Sequence, residues 1–127
     1  MATEILKGLK IIFLIQFVVM IIFGIFFFFF IEAYVVLFSW PYLDPIAGHY
    51  IGAFCFGIAV IALFAYRETE WEKIEILVLF HIVWILLGLI ALIWGLVTDF
   101  TFVGTFNSIL HVFFLVAFTY FYLQQKK

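Results

Sequence analysis

The stretch IIFLIQFVVMIIFGIFFFFFI, Ile11–Ile31, decides what kind of protein this is. Only Gln16 and Gly24 interrupt its apolar side chains, and about 20 consecutive apolar residues are what an α-helix needs to cross the hydrocarbon of a bilayer. The run does not alternate between apolar and polar residues, so it is not a membrane β-strand. Five phenylalanines, Phe26–Phe30, close it and lead directly into a carboxylate, Glu32. Spaced at 100° per residue, five consecutive rings point all round a helix, so some face lipid and the run is not expected to form a ligand cage.

The rest of the chain repeats this pattern. Of 127 residues, 69% are hydrophobic and 11% charged, with mean hydropathy +1.35. Soluble domains carry about 25% charged residues, and six Lys/Arg with eight Asp/Glu could not cover the apolar surface of a water-soluble fold this size. The few cations also remove any case for a nucleic-acid partner. Cys55 is the only cysteine, so no intrachain disulfide or cysteine metal motif is available. The partner implied throughout is the lipid bilayer.

Four transmembrane helices are predicted, at about 11–31, 46–66, 74–97 and 106–123, within one integral membrane domain over 1–127. The fold class is all-α, a polytopic antiparallel four-helix bundle. Asp44-Pro45 reads as an N-cap with proline at the first helical position. Thr69-x-x-Glu72 reads as a capping box for the third helix, and Thr105 or Asn107 as a cap for the fourth. Trp40, Trp71 and Trp94 fall near segment ends, where interfacial tryptophans sit.

Lys7 and Lys10 precede the first segment, Arg67 and Lys73 separate the second from the third, and Lys126 and Lys127 follow the fourth. The other two connections have no Lys or Arg. The positive-inside rule therefore predicts that both termini are cytoplasmic. The basic start followed by an apolar run also fits a signal peptide, but the run is too long and no small-residue cleavage site follows.

Small residues line one face of the second segment: Gly48, Gly52, Cys55, Ala59 and Ala62. Gly48-x-x-x-Gly52 lets two backbones approach closely. The third segment carries a matching run of Trp84, Gly88, Ala91 and Gly95, so the two faces are expected to pack together, or else to form a homo-oligomer seam.

The polar residues inside the segments are the candidate site. His49 and His111 are expected at similar depth in the outer leaflet, and Gln16 and His81 at similar depth in the cytoplasmic half. Asn107, Ser108 and His111 form a polar stripe that should face the interior. One reading has His49 and His111 ligating haem b or a metal between helices. Against it, His49 lies about 100° round from the small-residue face. A second reading is proton-coupled transport or a quinone pocket using Glu32, His49, His111 and His81. Against it, no helix centre carries an acid or an unwound break, and Glu32 lies about 160° from Gln16 on a regular helix. The third reading has the histidines and Gln16 making interhelical hydrogen bonds, with Glu32 only marking the membrane boundary. Among these the expected function is an accessory or interaction protein, or a subunit of a membrane complex, with no cofactor; the alternative is a transporter-like, quinone- or haem-binding protein. Nothing in the chain reads as a catalytic constellation.

The stretch SWPYLDPIAGHYIGA, residues 39–53, resembles a pattern found in small uncharacterised four-helix prokaryotic membrane proteins, with Trp-Pro, a second proline and a Gly-Ala helix. Where many of them carry a basic residue after the second proline, this chain has Gly48 and His49. The resemblance implies four helices in a prokaryotic cell membrane and no particular chemistry.

Overall fold

A computed structural model describes residues 3–40 and 44–127. These form five helices: α1 (Lys7–Phe29), α2 (Ile31–Leu37), α3 (Pro45–Arg67), α4 (Trp71–Thr98) and α5 (Phe102–Gln125). Four of them, all but α2, are long and apolar enough to cross a membrane. The spans are longer than the apolar runs alone suggest, because the flanking charged and polar turns continue the helices. α1 begins four residues before Ile11, and α5 begins at Phe102.

The caps explain the starts. Asp44 caps α3 as expected, its carboxylate accepting from the Ala47 N–H at 3.1 Å. α5 is capped by Thr101, whose hydroxyl accepts from the Gly104 N–H at 3.1 Å, and not by Thr105 or Asn107. The Thr69–Glu72 capping box is also not formed. The N-cap of α4 is Glu70, without a side-chain cap bond, and the Glu72 carboxylate instead accepts from the Thr3 N–H. The N-terminal segment has drawn Glu72 away. Glu4 and Glu70 form an isolated antiparallel bridge, Ile5 N–H donates to the Thr69 carbonyl at 3.3 Å, and Trp71 N–H donates to the Thr3 carbonyl at 2.8 Å. The Gln125 amide joins the same end, accepting from Leu6 N–H and donating to the Glu4 carbonyl. Both chain termini and the α3–α4 turn are thus tied into one end of the molecule, called the proximal end here. Trp71 is buried and packs against Tyr122 in this layer, whereas Trp94 is exposed.

The small-residue face of α3 does not pack on α4. It packs on α1. An added Cβ at Gly52 would collide with the backbone nitrogen of Phe28, and one at Gly48 would stand 2.5 Å from Ile31 Cγ1. Cys55, Ala59, Ala62 and Ala65 continue the buried face of α3, and Gly24 on α1 receives the Phe56 ring. The Gly48–Gly52 pair is therefore used within the chain and not as a seam for a second copy. On α4, Gly88 receives the His111 ring of α5, while a Cβ added at Gly95 would meet nothing within 4 Å among the described residues. The reason is geometric. α1 and α3 form one close pair and α4 and α5 another, and α3 touches α4 only slightly.

Two cores result. The proximal core joins Leu9 and Phe13 of α1, Ala62 and Ala65 of α3, Trp71, Ile74 and Val78 of α4, and Phe114 and Phe118 of α5. The distal core is small: Ile31, Tyr34 and Val103, with Phe23, Phe26, Phe27 and Trp40 against them. The helical run breaks at Phe30 (φ −132°, ψ 34°), and α2 then turns Ile31 and Tyr34 inward at i, i+3 spacing while Glu32 stays exposed. Ser39 takes a left-handed conformation (φ 51°) just after α2. Pro41, the proline of the Trp-Pro pair, lies outside the described residues.

Candidate functional site

Between the two cores lies a cavity of ≈ 420 Å³. Its walls come from all the elements. α1 supplies Gln16, Val19, Met20, Phe23 and Phe27; α2 supplies Ile31, Tyr34 and Val35. α3 supplies Gly48, Ile51, Phe54 and Cys55, α4 supplies Trp84, Ile85 and Leu92, and α5 supplies Val103, Asn107, Leu110, His111 and Phe114. Trp40 and Asp44 stand at the distal end. A second recess of ≈ 430 Å³ shares Trp40 and Leu92 with it and continues past Leu96, Thr98, Asp99 and Thr101. The cavity exists because the α1–α3 and α4–α5 pairs converge at the proximal end and are not drawn together distally. Phe54 and Trp84, edge to face with ring centres 5.5 Å apart, form the contact across the gap between α3 and α4.

The polar atoms of this cavity are few. The Gln16 side chain is fully buried, and neither its oxygen nor its nitrogen has a hydrogen-bond partner among the described residues. The buried indole N–H of Trp84 is likewise unpartnered. An unsatisfied buried polar group costs about 1–3 kcal/mol, so the pair is a liability unless something else completes it. His111 places Nδ1–H on the Asn107 carbonyl at 2.8 Å, which leaves Nε2 as an acceptor in the neutral ring. Its ring meets Trp84 edge to face, centres 5.8 Å apart. The Asn107 side chain faces the Tyr34 hydroxyl. No Lys or Arg lines the cavity, and the Asp44 carboxylate at its end is occupied by its cap.

The other candidates are dispersed. His49 is exposed on α3, and its Nδ1–H donates across to the Phe28 carbonyl of α1 at 2.7 Å, the one interhelical bond among the three histidines. His81 is fully buried between Phe13 and Phe118, with Nδ1–H on its own helix at the Leu77 carbonyl and Nε2 unpartnered. Ser108 bonds back to the Gly104 carbonyl and does not reach the cavity. Glu32 is exposed and has no hydrogen-bond or ion-pair partner among the described residues, so it joins neither histidine. His49 engages α1 while His111 is wedged against Gly88, an arrangement that does not present two imidazoles to one haem. Among the described residues no three His, Cys, Asp or Glu side chains converge on a metal position.

Sequence reasoning placed Gln16, Asn107 and His111 in the interior but overlooked Trp84 as a donor and Phe27 as a wall. The Phe26–Phe30 run forms no cage, as expected: Phe28, Phe29 and Phe30 are exposed, and of the five Phe27 lines the cavity, where the break at Phe30 folds Tyr34 back onto its ring, centres 4.6 Å apart. The available signal was a polar group on each of two apolar spans, the Gln16 amide and the Trp84 indole N–H.

Fold and cavity together define a class: an all-helical membrane protein with an internal apolar chamber and a sparse polar lining. Compared with known protein families, with curated proteins and with solved structures, the chain matches none.

Proposed function

We propose that this protein binds a lipophilic small molecule inside the bilayer. The observation that carries the reading is the buried, unpartnered Gln16 amide on the wall of a 420 Å³ apolar cavity. Ligand sites are typically clefts of about 300–1,000 Å³, mostly apolar, with a small number of placed polar groups. A packing role for Gln16 would give its amide a partner on a neighbouring helix, and among the described residues it has none.

In this reading the four spans run antiparallel across a cell membrane with both termini in the cytoplasm. All six cations fall at or beside the proximal ends of the spans, which supports that orientation. The cavity then lies in the outer half of the bilayer, and the slight α3–α4 contact gives it a lateral side from which a membrane-dissolved molecule enters. With no catalytic constellation around the cavity, the protein acts as an accessory component that holds or presents its lipophile to a membrane partner.

The test is direct. Protein purified in mild detergent is extracted with organic solvent and the extract analysed by mass spectrometry, alongside a Val19→Phe variant that narrows the cavity. A discrete lipophile enriched with the wild type and depleted in the variant is expected. Identical extracts holding only bulk lipid and detergent would remove the reading.

A further inference from the structure

The atoms around the cavity restrict the head group that fits it. Trp84 Nε1–H can only donate, and Gln16 offers two N–H donors beside one acceptor. Each carries an N–H donor with no partner among the described residues, and a hydrogen-bond acceptor on the ligand matches both donors. Charge narrows the choice further. With no Lys or Arg on the walls, a carboxylate or phosphate head would lie uncompensated in a low-dielectric site, at a cost no single amide offsets. A cationic head fares no better, since Asp44, the one carboxylate of the lining, stands at the far end and already serves its own helix. Shape adds a third restriction. Phe27, Phe54, Trp84 and Phe114 offer ring surfaces, which favour a flat group that stacks or meets them edge on. From the level of Gln16 to the distal end of α1 is roughly 20 Å at 1.5 Å per residue, room for a ring and part of an isoprenoid or alkyl tail.

We propose, on the lipophile-binding reading above, that the ligand is a neutral, planar carbonyl compound with an apolar tail, of the quinone class. A carbonyl oxygen accepts from Gln16 and Trp84, the ring lies among the aromatic walls, and the tail runs towards Trp40 or out between α3 and α4. The site binds and orients the molecule; no electron or proton transfer is assigned to it.

The experiment uses the full chain in detergent micelles and three probes with one decyl tail: decylbenzoquinone, decylbenzene and decanoate. Calorimetric titration is expected to show the quinone binding at least about tenfold tighter than decylbenzene, the scale of one or two hydrogen bonds to buried donors. Gln16→Leu and Trp84→Phe should each lower the affinity for the quinone relative to decylbenzene and so remove most of that preference. The infrared carbonyl stretch of bound quinone should shift down in the wild type and return towards its free position in Gln16→Leu, a signature that a purely structural role would not produce. If Gln16→Leu does not fold, Gln16→Met and Trp84→Phe carry the same comparison. Equal affinities for quinone and decylbenzene, unaffected by the variants, would overturn this inference and leave a plain lipophile site. Tightest binding of decanoate would overturn the neutral head group. Failure of all three probes to bind would overturn both the inference and the reading beneath it.

Discussion

Gln16 concentrates the tension between stability and function in one side chain. Its amide is fully buried with both polar atoms unpartnered among the described residues, while the neighbouring Phe13 is absorbed into the proximal core. Replacing an unsatisfied buried polar group by an apolar one of similar size is neutral or stabilising, whereas leaving it unpaired costs about 1–3 kcal/mol. Gln16→Leu should therefore unfold at a higher temperature than the wild type when both are stripped of bound lipophile, by an amount on the order of 1 kcal/mol. Thermal unfolding in delipidated micelles checks this. A clear loss of stability would mean that Gln16 has a structural partner, and would return the site to a packing account. Glu32 is the opposite case. It is exposed at the first turn of α2, where the helix dipole favours a carboxylate, and has no polar partner among the described residues.

At the scale of helices, the α1–α3 contact is the tightest in the molecule, and two glycines of one helix separate its causes. Gly52 lies against the Phe28 backbone, which cannot rotate away, whereas a Cβ added at Gly57 would meet nothing within 4 Å among the described residues. Gly52→Ala should destabilise by about 1–3 kcal/mol through overpacking. Gly57→Ala should be neutral or stabilising by up to about 1 kcal/mol, through helix propensity alone. Chemical unfolding of the two variants in parallel decides the point, and equal effects would mean that the glycine face of α3 is not a contact face. The α3–α4 turn has its own electrostatic element. Glu68 ends α3, and its carboxylate accepts from the Thr69 N–H at 2.8 Å and the Glu70 N–H at 3.2 Å, with Lys73 nearby. These bonds, first of all those to the backbone N–H groups of Thr69 and Glu70, hold its carboxyl below the ordinary value of 4.5. A depressed carboxyl contributes stability that is complete above the unfolded value and is lost as pH falls through the folded one. The stability difference between wild type and Glu68→Ala should accordingly be constant near neutral pH and shrink as pH drops below about 4.5, as read by unfolding curves between pH 7 and 3. A difference that stays constant over that range would show that the carboxylate does not hold the turn.

At the scale of the whole molecule, the prediction concerns threading. Val36 on α2 and Phe100 between α4 and α5 are exposed at the distal end, and Lys127 follows α5. Single cysteines at positions 36 and 100, made in a Cys55→Ser background, should react with a membrane-impermeant thiol reagent in intact cells. A cysteine at 127 should react only after lysis. The reverse pattern would invert the orientation and place the cavity in the inner half of the bilayer.

Length, hydropathy and charge distribution were enough to determine the number of spans and the end at which the cations gather, because each of these is a local property of a segment set against the bilayer. The Asp44-Pro45 cap of α3 was legible for the same reason, since a cap is satisfied within one turn. Whatever depends on which helix lies beside which was decided by tertiary structure. The face of Gly48 and Gly52 was plain in the sequence, but a small-residue face fits any closely approaching backbone, and it found α1 rather than α4. Glu72 lost its capping role to a Thr3 amide far away in the chain. Gln16 was visible as an isolated polar group and Trp84 was not, and whether each would meet a partner depended on the gap left between two helix pairs. Apolar side chains pack against lipid tails nearly as well as against one another, so composition alone does not say where a bundle will close and where it will stay open.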